Sequence, residues 1–264
     1  MRPIVTSAPM LAGRVAVITG AGRGIGAAIA RRLADHGAVV ITVDIDADSA
    51  AGTAESIRVE TGSPTESLGL DVTDESAVEE GFDGVVSRHG QLDCVVVNAG
   101  VLHLAHVVDM ELPDWKRVLD VNLTGAFLTA RAAARRMTEG SIVMISSLFG
   151  RRGGVENAAY SASKFGLIGL AECLAAEMAG SGVRVNSVCP GQISTEMVEN
   201  LAVQRAEAQG STPEMILERL VARVPMGRMG EAAEVADVCV FLASDLSRYL
   251  TGQSIVVDGG WQVG

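Results

Sequence analysis

Tyr160 and Lys164 stand four residues apart in Tyr160-Ser161-Ala162-Ser163-Lys164. On a helix that spacing puts a phenol and an amine on one face. The chain has only two tyrosines and two lysines, so their meeting here is unusual for this sequence. A free phenol titrates at about 10 and is a poor base at neutral pH. A neighbouring ammonium favours the phenolate and lowers that value. A phenol tuned in this way can take a proton from an alcohol or return one to a carbonyl oxygen. Ser147, thirteen residues before Tyr160, can hold the reacting oxygen. Taken singly, a Tyr-xxx-Lys pair is a common surface feature and Ser146-Ser147 a common strand-end turn. The conjunction points to acid–base chemistry at an oxygen.

A second constellation precedes it. Thr19-Gly20-Ala21-Gly22-Arg23-Gly24-Ile25-Gly26 follows an apolar run and opens a helical pattern. Glycines there permit positive φ and let a pyrophosphate approach the backbone, while the helix N-terminus offers free N–H donors. A glycine-rich string is weak by itself. A strand before it, a helix after it and an acidic residue about 20 positions on strengthen it. Asp44 is that residue. Its carboxylate can accept from both hydroxyls of an adenosine ribose and repels a 2′-phosphate, so it predicts NAD over NADP. Arg23 is the contrary sign, a guanidinium able to meet such a phosphate. Asp44 outweighs it by standing where the 2′ substituent must go.

These residues need a scaffold. Short apolar runs recur at Arg14 to Thr19, Val39 to Val43, Ser67 to Leu70, Cys94 to Val97, Ile142 to Ile145, Val183 to Val188 and Ser254 to Val257. Between them lie helical patterns at Ala28 to Leu33, closed by Gly37, and near 47–60, 74–88, 113–137, 158–179 and 231–243. Continuous apolar strands imply burial on both faces, hence a parallel sheet between helices. The alternation predicts an α/β, doubly wound (Rossmann) parallel sheet of about seven strands. No linker or repeat interrupts it, so one catalytic domain is expected over 12–264, with 1–11 as a lead-in. Residues 192–230 break the rhythm with helix-like pieces and no strand. Ligands bind beyond the carboxyl ends of such strands, so this insertion is a candidate substrate lid.

Composition excludes other classes. Apolar residues make up 48% and charged residues 20% of 264, which fits a globular chain. Thirty-two acidic and 21 basic residues leave a net charge of −11, which disfavours nucleic acid and anionic membranes. Cys94, Cys173, Cys189 and Cys239 are scattered, without zinc spacing, and read as reduced buried thiols. His103 and His106 lack a third ligand, so no metal is expected. Glu79-Glu80 reads as a solvated helix face. No signal peptide and no run of about 18 apolar residues is present, which predicts a cytoplasmic protein.

From about Leu11 to Trp261 the chain resembles the short-chain dehydrogenase/reductase family, motif after motif in order. Thr19-Gly20 with Gly24-Ile25-Gly26 matches its cofactor turn. Leu70-Asp71-Val72-Thr73 matches the segment whose aspartate contacts adenine. Val97-Asn98-Ala99-Gly100 matches its Asn-Asn-Ala-Gly, with Val97 in place of the first asparagine. Asp120-Val121-Asn122 supplies the asparagine of a tetrad with Ser147, Tyr160 and Lys164. Pro190-Gly191-Gln192-Ile193-Ser194-Thr195 matches the loop that clasps the nicotinamide, through the Ile193 backbone and the Thr195 hydroxyl. Thr251-Gly252-Gln253 and Val257-Asp258-Gly259-Gly260 match its C-terminal signature.

The resemblance implies NAD-dependent hydride transfer between an alcohol and its ketone. Tyr160 is then the general acid/base, helped by Lys164, which also binds the nicotinamide ribose. Ser147 orients the substrate oxygen and Asn122 holds a water in a proton relay. A dimer or tetramer is implied, with small residues Ala162, Gly166 and Gly169 able to allow close helix packing. Relatives that grip a hydroxybutyrate carboxylate carry His and Lys where Phe149 and Asn157 stand here. That favours an uncharged secondary alcohol or polyol, although Arg151 or Arg152 can substitute. The alternatives are a 3-oxoacyl-thioester (acyl carrier protein) reductase, a 3-hydroxy acid dehydrogenase, and a non-catalytic NAD-binding regulator. The last class usually lacks the tyrosine or the lysine.

Overall fold

A computed structural model describes residues 9–263. Most of the expected lead-in, residues 1–8, lies outside the described residues; Leu11 is buried in the core. In chain order the strands are β1 (Val15–Thr19), β2 (Val39–Asp44), β3 (Thr65–Gly69), β4 (Cys94–Val97), β5 (Gly140–Ile145), β6 (Val183–Pro190), β7 (Ile193–Ser194), β8 (Gly230–Glu231) and β9 (Ser254–Val257). The helices are α1 (Gly24–Asp35), α2 (Ala47–Thr61), α3 (Glu75–His89), α4 (Leu112–Leu119), α5 (Gly125–Ala134), α6 (Ala158–Met178), α7 (Glu196–Gln209), α8 (Pro213–Val221) and α9 (Ala232–Ala243).

Seven strands form one sheet in the order β3-β2-β1-β4-β5-β6-β9, all neighbours parallel. Side chains alternate across it. Val15 and Val17 join a core with Val78, Phe82, Leu128, Leu167 and Ala171 of α3, α5 and α6. Ala16 and Ile18 face the other way, toward Ile29, Leu33, Ile57, Val235 and Val240 of α1, α2 and α9. Burial on both faces is what the unbroken apolar runs require. Asp46 and Asp74 cap α2 and α3 by accepting the backbone N–H of Ser49 and Ala77.

Four expectations need correction. The pattern over 113–137 is not one helix: a π-helical turn, Asp120–Thr124, separates α4 from α5. The extra residue turns Asn122 inward, where it is buried. The 192–230 insertion does hold strands, because Ile193 and Ser194 pair with Gly230 and Glu231 and so close its two ends together. Cys173 is exposed, since the buried stripe of α6 runs through Lys164, Leu167, Ala171 and Ala175 and leaves position 173 off it. Glu79 is not simply solvated. Packing of α3 beside α5 brings it onto Arg131, Arg135 and Arg136, while Glu80 stays exposed.

The β1 and β4 ends are joined by a polar knot. Thr19 Oγ1 accepts the backbone N–H of Asn98 and Ala99 at 3.0 and 3.2 Å. The Asn98 amide donates to the carbonyls of Thr19 and Gly20 at 2.9 and 3.0 Å. Gly26 packs under this knot. A Cβ there lies 2.1 Å from the Gly20 carbonyl oxygen and 2.5 Å from Asn98 Nδ2. Gly52, in the middle of α2, has open space around it. Gly26→Ala therefore costs about 1–3 kcal/mol of stability, whereas Gly52→Ala gains about 0.5–1 kcal/mol by helix propensity. Thermal melts of both variants check the opposite signs.

Candidate active site

At the β1–β4 junction the strand order reverses, and in open α/β sheets the crevice that takes ligands lies at the carboxyl ends of the strands at such a point. Gly20 and Gly24 adopt φ of +64° and +57°, so the chain can turn sharply into α1. Arg23, the N-cap of α1, places no side-chain oxygen on the first-turn N–H groups, and that turn holds no acidic residue. An uncapped helix start of this kind suits a pyrophosphate. Ile25 is half-buried beside the α1–α9 core.

Asp44 ends β2 with one oxygen accepting Gly22 N–H at 2.9 Å and the other Asp46 N–H at 3.1 Å. The carboxylate is thus fixed beside the glycine turn. Arg23 is turned to Glu196 at the start of α7, at 3.8 Å. Asp71 follows β3 and folds onto Thr73 through both its N–H and its hydroxyl. Val72 is buried against Gly125. Asn98 and Ala99 belong to the knot. Gly100 follows them, and a Cβ there would lie 3.2 Å from Asn122 Oδ1 and 3.5 Å from Lys164 Nζ.

Lys164 is 4% exposed, with Nζ donating to the Ile145 carbonyl at 2.8 Å. Its amine lies 5.6 Å from the centroid of the Tyr160 ring. One of its three N–H donors is thereby used, and the others remain for a ligand. Burial lowers the Lys164 pKa to about 8. Burial also pushes the Tyr160 phenol up, with hydrogen bonding to Ser147 opposing it. This differs from the expectation of a lowered phenol. Loss of hydration at the buried phenol outweighs the Ser147 hydrogen bond. Ser147 extends from the β5 end, and its Oγ accepts the Phe149 N–H at 3.1 Å.

Asn122 is buried in the π-helical turn. Its amide is engaged by the protein: Oδ1 accepts Val101 N–H at 2.7 Å, and Nδ2 donates to Val101 O at 2.9 Å and Ser163 Oγ at 3.1 Å. Ser163 in turn donates to the Tyr160 carbonyl at 2.7 Å. The π-helical turn is thus tied to both the β4 exit and the Tyr160 helix.

Pro190 ends β6 and Gly191 follows it. A Cβ on Gly191 would lie 2.6 Å from that of Asp258, so the C-terminal segment closes against this loop. Ile193 is buried, and Thr195 begins α7 with its methyl 4.0 Å from a Cβ built on Gly24. The loop therefore returns to the glycine turn. Short contacts link the site residues in series: Gly22 to Asp44, Gly24 to Thr195, Gly20 to Asn98 and Ala99, Gly100 to Asn122 and Lys164, and Tyr160 to Ser147 and Lys164. Of the small residues on α6, Gly166 packs on Leu123 of its own chain, whereas Ala162 and Gly169 are exposed.

Sequence reasoning missed Thr19, Ser163 and Glu156. Glu156 is the only non-glycine residue with positive φ among the described residues, at +66°. Its carboxylate faces His106 at 3.6 Å and Arg205 of α7 at 3.8 Å. His103 instead faces Asp114. A serine one place before Lys164 gives no signal of burial, because serine is ordinarily a surface residue.

Comparison with known proteins agrees with this geometry. A family model described as enoyl-(acyl carrier protein) reductase matches residues 20–262. A 3-oxoacyl-(acyl-carrier-protein) reductase of Thermotoga maritima is 40% identical over 256 residues, covering 95% of this chain and 98% of that protein. D-threitol dehydrogenase of Mycolicibacterium smegmatis is 37% identical over 256 residues, covering 96% and 94%. The structure of an NAD+-bound xylitol dehydrogenase superposes with a TM-score of 0.90 at 35% identity, covering 95% of this chain and 99% of that one. Together with a glycine turn and an uncapped helix start that fit a dinucleotide, these matches support a nicotinamide cofactor. Sheet order and matched length lead to one conclusion: the chain belongs to the short-chain dehydrogenase/reductase family of oxidoreductases.

Proposed function

We propose that the protein is an NAD-dependent dehydrogenase that interconverts an uncharged secondary alcohol or polyol and its ketone, with Tyr160 as general acid/base. The observation that carries this reading is the buried Lys164 amine, held on Ile145 between the β4 and β5 ends and beside the Tyr160 ring. Bound in the crevice, NAD supplies the hydride acceptor and a positive charge. Gly20, Gly24, the α1 N-terminus, Asp44 and Lys164 are the residues that hold it, with Asp71, Val72, Ala99, Gly100 and the Pro190 to Thr195 loop around them.

Tyr160 takes the hydroxyl proton of the alcohol at its phenolate oxygen, and returns it in ketone reduction. Ser147 holds the substrate oxygen beside that phenol. The Lys164 ammonium favours the phenolate against the burial that opposes it. Asn122 fixes the approach of the β4 exit to α6. Asp44 accounts for NAD over NADP: its fixed carboxylate repels a 2′-phosphate, and Arg23, which could attract one, is paired with Glu196.

Support for an uncharged substrate comes from three engaged groups near the site, while Arg151 stays exposed. Arg205 faces Glu156, Arg152 stacks on the Trp261 ring at 4.7 Å, and the Asn157 amide turns to Val155 O. Phe149 packs with Leu148, Val224 and Trp261 as an apolar wall. Residues 192–230 form the lid, whose α7 and α8 bury Ala202, Ala206 and Ile216 between themselves. Self-association as a dimer or tetramer is supported by the exposed Phe127 and Phe165 on α5 and α6.

A second reading, reduction of a 3-oxoacyl thioester, is favoured by the Thermotoga relative. Initial rates on secondary alcohols, polyols, hydroxy acids and acetoacetyl thioesters, with NAD and NADP, separate the two.

Three outcomes are expected. Tyr160→Phe lowers kcat by about 100-fold or more while NADH binding, read by fluorescence, persists; near-normal turnover overturns the assignment. Asp44→Ala raises the KM for NAD and narrows its preference over NADP, and a native enzyme that already prefers NADP defeats that role. Alcohol oxidation needs the phenolate, so its kcat/KM rises with pH, whereas ketone reduction needs the phenol and falls. Profiles from about pH 6 to 10 that are flat in both directions exclude Tyr160 as the titrating group.

A further inference from the structure

We propose that Ser146 is a positioning residue: its buried hydroxyl fixes the backbone of Lys164 against the end of β5, and so sets Lys164 and Tyr160 relative to Ser147. The inference rests on the acid–base reading above and adds a residue to it.

Ser146 is 3% exposed, and its Oγ donates to the Lys164 carbonyl at 3.0 Å. The residue before it, Ile145, accepts the Lys164 amine at 2.8 Å. Two consecutive residues at one strand end therefore grip Lys164 twice, one by its backbone and one by its side-chain tip. Ser147 is the next residue in the chain. Ser146 is itself anchored on the sheet, its N–H donating to Val188 O at 2.8 Å.

The bond is not needed to satisfy the carbonyl. Lys164 lies inside α6, whose own ladder supplies an N–H partner four residues on. What the hydroxyl adds is location. The space around it is closed as well: a Cβ on Gly150 would lie 2.3 Å from Ser146 Oγ and 2.7 Å from the Lys164 carbonyl oxygen. Only glycine at 150 lets strand end and helix approach this closely.

The same strand supplies a matched control. Ser141 is also fully buried, and its Oγ donates at 2.8 Å to the Leu242 carbonyl of α9, on the opposite face of the sheet. That helix carries none of the site residues. The two serines share residue type, burial and bond type, Ser141 lying within β5 and Ser146 directly after it, and they differ in which helix they hold.

The test compares Ser146→Ala with Ser141→Ala in the full-length enzyme. Both are expected to lower Tm by similar amounts. Ser146→Ala lowers kcat about 10-fold on the best alcohol of the panel, leaves the KM for NAD within about twofold, and moves the pH dependence of kcat. Ser141→Ala leaves kcat and its pH profile unchanged. A readout independent of turnover is available because the chain has only two lysines. NMR of isotope-labelled lysine side chains in the cofactor-free protein follows Lys164 directly. Its titration midpoint rises in Ser146→Ala and stays in place in Ser141→Ala. If Ser146→Ala does not fold, Ser146→Cys and Ser141→Cys, which keep a weaker donor, are compared by the same readouts. Equal kcat and equal Lys164 titration in the matched pair overturn the proposal. An active Tyr160→Phe would instead defeat the acid–base reading on which it stands.

Discussion

The hydrogen bonds between Thr19 and Asn98 join the two strand ends between which everything else is arranged. β1 and β4 are neighbours in space but far apart in the chain, and the sheet order reverses between them. The chains leaving them diverge, one into α1 and one toward α4. Without a tie, the glycine turn and the Gly100 segment could drift apart. Thr19 Oγ1 gathers two N–H groups from the β4 side, and the Asn98 amide returns two bonds to the β1 side. This is a satisfied buried network, which fixes geometry because no member can leave without stranding another. Gly26 permits it by offering no side chain where the Gly20 carbonyl must sit.

Around that junction the electrostatics are set by burial more than by pairing. The Lys164 amine is shifted down and the Tyr160 phenol up, which is the direction dehydration gives to a cation and to an incipient anion. Burial here thus disfavours both the phenolate and the ammonium. A positive charge brought into the crevice by an oxidised cofactor would favour the phenolate.

The rest of the polar machinery holds elements in register. Asn122, in its π-helical turn, grips both backbone groups of Val101 and passes a bond through Ser163 to Tyr160. Thus β4, α5 and α6 meet at one point by side-chain bonds. On the far side, Arg23 with Glu196 and Arg205 with Glu156 tie α7 to the glycine turn and to the entrance of α6. These exposed pairs contribute little to stability. They do hold α7 at both places and leave Arg23 and Arg205 engaged.

The seven strands of the main sheet, most helices and the parallel fold were legible in the sequence, because continuous apolar runs and 3.6-residue periodicity depend on local order alone. The same holds for Tyr160 and Lys164, whose common face follows from helical spacing, and for the glycine turn leading into α1. What the chain order does not contain is which distant groups meet. The engagement of the Asn122 amide by Val101, the Arg pairing of Glu79, the joined ends of the 192–230 insertion and the direction of the Tyr160 pKa all arise from packing between segments far apart in sequence. Hydrogen-bond partners and desolvation are properties of neighbours in space, so only the tertiary structure decided them.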